Sequence, residues 1–196
     1  VDADHKATVQ PLMINYPNIG NAYAYIVINQ QSEPEGADWR NIYPRSGDQL
    51  LATMATADGT EAVDWIISDQ MTARNDAKFR FYAKSYDGDN TYHPWAYLTV
   101  LVSTTDNAVS SFTPLSGFTS VQVPHKNNND SQTSWTEFDV DLSAYAGQKI
   151  YIAVRNNTQS NGFVTFFDDF YFENFEYVNS DNSAPYFTTI PETTAT

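Results

Sequence analysis

Two adjacent carboxylates, Asp168 and Asp169, sit inside the aromatic run Phe166-Phe167-Asp168-Asp169-Phe170. On strict alternation Asp168 shares a face with Val164, Phe166, Phe170 and Phe172, which puts one carboxylate on an apolar face. Burying a carboxylate without a partner is costly. Asp168 is therefore expected to accept several backbone N–H bonds, to pair with an arginine, or to bind a cation such as structural calcium. A second acidic segment, Asp87-Gly88-Asp89-Asn90, resembles a fragment of a calcium loop. It lacks the further alternating acids and the closing Glu, so a glycine-containing turn is the better reading.

The tryptophans divide by context. Trp65 lies in Val63-Asp64-Trp65-Ile66-Ile67 and Trp135 just precedes an alternating segment, so both are expected in the core. Trp95 shares a polar loop with Tyr86, Tyr92 and His93, and Trp39 follows the polar stretch Glu33 to Asp38. Trp95, Tyr92, Tyr86 and Trp39 are the candidate ligand-binding residues. An aromatic ring packs on the C–H face of a sugar while neighbouring Asp and Asn take its hydroxyls. The competing reading is that these rings cover a sheet edge.

Catalytic patterns are missing. There is no G-x-S-x-G elbow, no H-E-x-x-H, no H-x-H and no phosphate-binding glycine loop. The three histidines, His5, His93 and His125, all fall in terminal or loop segments. A glycosidase on a β-sandwich needs two carboxylates converging at about 5–9 Å. The single-strand E-x-D-x-x-E version of that pair does not occur, which leaves only a pair assembled across strands.

The elements that must position these residues are strands. Period-two patterns run through Ala24 to Asn29, Ala77 to Lys84, Tyr97 to Ser103, Glu137 to Leu142 and Lys149 to Arg155. Phe163 to Tyr177 reads as a core strand or a strand pair, and Asp64 to Met71 as a strand or a short turn. Asn/Asp/Gly/Pro/Ser clusters at 31–37, 43–48, 86–94, 125–134 and 156–162 mark the connections. No segment sustains a helical stripe, so an all-β, antiparallel β-sandwich is expected. After Tyr177 the chain turns Asn/Ser/Thr/Pro-rich and loses alternation.

Composition narrows the partners. The chain has 196 residues, no cysteine, and 10 Lys+Arg against 24 Asp+Glu, for a formal charge of −14. Nucleic acid and anionic membranes both require clustered Lys/Arg and are not expected. Absence of cysteine excludes disulfides, a thiol nucleophile and Cys-ligated metal. Aromatic content of 15% excludes a disordered acidic tail. No stretch approaches the about 18 uninterrupted apolar residues of a membrane span, and Val1 to Lys6 shows no signal-peptide pattern.

The ordered set D-W-I-I-S (64–68), F-R-F-Y-A-K (79–84), Y-L-T-V-L-V-S-T-T (97–105), W-T-E-F-D-V-D-L-S-A-Y-A-G-Q-K-I-Y-I-A-V-R (135–155) and F-D-D-F (167–170) resembles the cleaved-adhesin or choice-of-anchor-J domains. These are jelly-roll modules of secreted and surface proteins of Bacteroidota-type bacteria, and the resemblance spans roughly residues 15–177. Its sharpest piece is Asp141 to Gln148 followed by a strand ending in Arg155. The Trp-bearing opening common in the family has no counterpart in Gly20-Asn21-Ala22-Tyr23. The resemblance implies a jelly roll of galactose-binding-like or MAM-like type, non-catalytic and adhesive or carbohydrate-binding, often with structural calcium. By the same resemblance, Asp168 and Asp64 occupy positions the family keeps and are the metal candidates.

The expectations are therefore an N-terminal extension over 1–14, a jelly-roll domain over 15–178 and a linker or tail over 179–196. The chain should be a monomeric, secreted or cell-surface module that does not itself insert in a membrane. Its expected partner is a glycan or a host or surface protein. A structural accessory domain and a hydrolase with a cross-strand carboxylate pair are the alternatives.

Overall fold

Alternation sets the first layer. In β4 (Met71–Tyr86), Phe79, Phe81 and Ala83 are fully buried while Lys78, Arg80 and Tyr82 between them are half-exposed. The structure is a computed structural model that describes residues 1, 3, 22, 24–29, 43–86, 96–126, 135–158 and 164–177. Around β4 the described strands are β1 (Ile26–Asn29), β2 (Gln49–Met54), β3 (Asp64–Ile67), β5 (Ala96–Ser103), β6 (Thr113–Pro114), β7 (Val121–Val123), β8 (His125–Lys126), β9 (Thr136–Asp141), β10 (Lys149–Asn156) and β11 (Val164–Tyr177).

One layer runs β1–β2–β11–β4–β9, antiparallel throughout, with the short β8 parallel to the end of β4. The other runs β3–β10–β5, and β7 and β6 pair with successive parts of β5. The layers join where Lys149 and Ile150 of β10 pair with Thr72 and Met71 of β4. Inward side chains of both layers form one core: Phe79, Phe81, Phe138 and Val140 from the first, Leu98, Val100, Ile150, Ile152 and Val154 from the second. Phe81 and Phe138 face each other across β4 and β9 with nearly parallel rings, 5.0 Å apart. The all-β jelly-roll or sandwich architecture is thus as expected.

Two bulges change the reading of β11. The register with β4 shifts between Asp168 and Tyr171 and again between Glu173 and Phe175, and Asp169 and Asn174 have φ of 50° and 59°. One inserted residue reverses which parity faces the core. Val164 and Phe166 point outward with Asp168, whereas Phe170 and Phe172 pack with Phe167 on the inner core. The expectation that Asp168 shares a face with Phe170 and Phe172 is corrected accordingly. Residues 164–177 form one strand, not a pair.

β2 escaped alternation because residues 50–54 are buried on both faces, Leu51 against the inner core and Leu50, Ala52 and Met54 in a second cluster with Ile26, Ile28, Trp135, Val164 and Phe166. Trp65 and Trp135 are buried, as expected. At the chain start, Val1 O accepts the Trp65 N–H at 2.8 Å and Ala3 donates to Val63 O at 3.2 Å, so these residues run beside β3. Among the described residues no helix is long and apolar enough to cross a membrane.

Candidate functional site

The outer face of the first layer gathers the polar chemistry. Asp168 stands opposite Tyr82 of β4, and the segment 43–48 lies against it. One Asp168 oxygen accepts the Arg45 N–H at 2.7 Å and the Ser46 N–H at 3.3 Å; the other accepts the Asp169 N–H at 2.8 Å. The left-handed conformation of Asp169 turns its own carboxylate to the same segment, where it takes the Arg45 guanidinium and the Ser46 hydroxyl, the latter at 2.5 Å. Arg45 also lies over the Tyr82 ring, 3.6 Å from its centroid. Lys84 completes the attachment by donating to Tyr43 O at 3.3 Å while stacking over Trp135 at 4.4 Å. Gly47, at φ 60°, supplies the turn that lets the segment return to β2.

Burial pushes the Asp168 carboxyl above its ordinary range, and the three N–H donors oppose that shift without cancelling it. The hydrogen bond to Asp169 holds Arg45 protonated more firmly than an ordinary arginine. Of the partners expected for Asp168, the structure supplies backbone N–H donors, with the arginine going to its neighbour. The donors at Asp168 are arranged for an anion. A calcium ion there would displace N–H groups and face a guanidinium, so these residues do not fit it. No group of three or more His, Asp or Glu side chains suited to a metal occurs among the described residues.

Beyond the clamp, the same face carries a lattice of ion pairs. Arg80 contacts both Glu137 of β9 (3.3 Å) and Glu173 of β11, and Lys78 contacts Asp139 at 3.3 Å. Arg74 pairs with Glu176 further along β4. Two tyrosines stand clear of this lattice: Tyr171, opposite Arg80, is 44% exposed and Tyr43 43%. Glu137 and Glu173 are the cross-strand carboxylates brought together here, but both lie in water and both are held by Arg80. A glycosidase's general acid needs a carboxyl in a dry pocket.

Asp64 lies elsewhere. It opens β3 in the second layer opposite Asn156, is 3% exposed, and its charge adds to burial in raising the Tyr25 hydroxyl pKa. It is not in the layer that holds Asp168. Trp39, Tyr92 and Trp95 fall outside the described residues; Tyr86 ends β4, and its side chain falls outside them too. Sequence reasoning missed Arg45, Ser46, Tyr82 and Tyr171. One signal was available: Lys78 and Arg80 alternate in one strand as Glu137 and Asp139 do in another, the pattern of facing strands with opposite charge.

Residues 32–171 match the family described as the Cleaved Adhesin Domain. The chain belongs to the cleaved adhesin domain family. It is an adhesin-type, non-catalytic domain. The clamp, Arg45 to Asp169, falls within the matched span, as do Lys78, Arg80, Glu137, Asp139 and Tyr171; Glu173 and Glu176 lie just beyond it. No curated protein matches the chain. Among solved structures, the K2 cleaved adhesin domain of Lys-gingipain is 19% identical, with 77% of this chain and 90% of that one covered at a TM-score of 0.49. The K1 domain of Lys-gingipain from Porphyromonas gingivalis W83 is 17% identical, with 76% and 90% covered and a TM-score of 0.49. TmCBM61, solved in complex with β-1,4-galactotriose, is 12% identical, with 77% and 82% covered and a TM-score of 0.47.

Proposed function

We propose that this cleaved adhesin domain works outside the cell or at its surface as a binding module for a glycan or a surface protein. The observation that carries the reading is the family match over residues 32–171. The geometry is consistent with it. A two-layer body holds rigid strands beneath an outer face on which side chains are fixed by ion pairs, so a ligand would meet a formed surface and little ordering entropy would be lost. The net charge of −14 disfavours nucleic acid and anionic lipid as that ligand.

Arrays of glycans and of extracellular and cell-surface proteins, probed with the purified chain and followed by titration of each hit, test the reading. Saturable binding to at least one class is expected, together with ligand-dependent rise of the melting temperature. Absence of any saturable ligand in both arrays overturns it.

A further inference from the structure

We propose that the outer face of β4, β9 and β11, from Tyr171 to the 43–48 segment, is a platform for an uncharged glycan chain. The inference rests on the adhesin reading and gives it a place and a ligand class.

Charge distribution is the first argument. Lys78, Arg80, Lys84 and Arg45 stand on this strip, four of the ten basic residues in the chain, facing Glu137, Asp139, Asp141, Asp168, Asp169 and Glu173. With Asp48 of the 43–48 segment included, the strip carries only −3, while the remainder of the chain carries −11. An anionic polymer would be repelled by the body on its way to the strip, and a second copy of the chain would bring the same repulsion. A cationic partner would find the carboxylates already bonded to Arg45, Lys78 and Arg80. A neutral ligand meets none of these penalties.

The second argument is chemical. A sugar presents hydroxyls that both donate and accept, and a weakly polar C–H face. Guanidinium and carboxylate groups side by side, as at Arg80 with Glu137 and Glu173, offer donors next to acceptors, and bonds to charged groups are the stronger kind. Tyr171 is exposed directly opposite Arg80 and supplies a ring for the C–H face. From Lys78 through Arg80 to Tyr82, the half-exposed side chains of β4, the strip extends about 13 Å, room for a short run of sugar units rather than one. Tyr43, exposed where the segment meets Lys84, marks the other end.

The third argument is rigidity. Arg45 is fixed by Asp169 and stacked on Tyr82, and Arg80 is held from both neighbouring strands, so the polar groups need no reordering to receive hydroxyls.

The test titrates the full chain with uncharged linear oligosaccharides of glucose, galactose, mannose and xylose, and with polygalacturonate and heparin as charged comparators. Protein hits from the array are titrated alongside. Each titration is repeated at low and high salt and with Tyr171→Ala, Tyr171→Phe and Tyr151→Ala, the last lying on the other layer; melting curves establish that each variant folds. Expected are binding of an uncharged oligosaccharide that salt leaves nearly unchanged, about tenfold or greater weakening in Tyr171→Ala, and retention in the other two. Unchanged glycan binding by Tyr171→Ala overturns the location and leaves the adhesin reading standing. Binding only to a protein, or only to charged polymers with steep salt dependence, overturns the ligand class with the same reading intact. Loss of every ligand overturns both.

Discussion

Asp168 holds a segment of chain in place with one side chain. Its two oxygens accept three backbone N–H groups, two of them from a segment more than a hundred residues away in sequence. Truncating it leaves those donors without their acceptor in a half-buried site, and Asp168→Ala is expected to cost about 1–3 kcal/mol in chemical denaturation. Because burial raises its pKa in the folded state, the folded chain keeps a proton that the unfolded chain has lost, and stability falls as pH rises through that interval. The advantage of wild type over Asp168→Asn should therefore narrow as pH climbs from about 4 and level off above the raised pKa. A gap that instead widens with pH would mean the N–H donors outweigh burial.

At the scale of elements, turns and bulges decide what each strand presents. Asp141, at the end of β9, accepts the N–H of Ser143, the first residue of the short 3-10 turn Ser143–Tyr145, at 2.9 Å, which holds its carboxyl below the ordinary range. The turn then closes through Gly147, whose N–H reaches Ala73 O at 2.7 Å and whose φ is 80°. A methyl group there would meet nothing within 4 Å, so Gly147→Ala isolates the backbone cost. That cost should be about 1–2 kcal/mol, seen as a lower melting temperature with unchanged strand content by circular dichroism. The turn at Ala146-Gly147 and its two strands were readable from sequence, because glycine between alternating segments has a direct backbone meaning. The β11 bulges were not. Asp169 and Asn174 are residue types that tolerate a left-handed backbone, but nothing local says that they adopt it. β2 stayed hidden for a different reason: a strand buried on both faces has no polar alternation to show.

For the whole molecule, the charge of −14 is unevenly spread, and its self-repulsion opposes folding more than the exposed ion pairs support it. Added sodium chloride should therefore raise the melting temperature; a fall would show that the lattice around Arg80 dominates. Composition and alternation were enough for the all-β class and the buried tryptophans, since burial periodicity is a property of the linear chain. They were also enough to state that Asp168 requires a partner, because a desolvated carboxylate always does. Which partner it has followed from the fold, as did the placing of Asp169 against Arg45 and of Glu137 and Glu173 on either side of Arg80. Those meetings join positions up to 124 residues apart. They depend on strand order, register and one inserted residue at Asp169, and local sequence carries no energy term for any of the three.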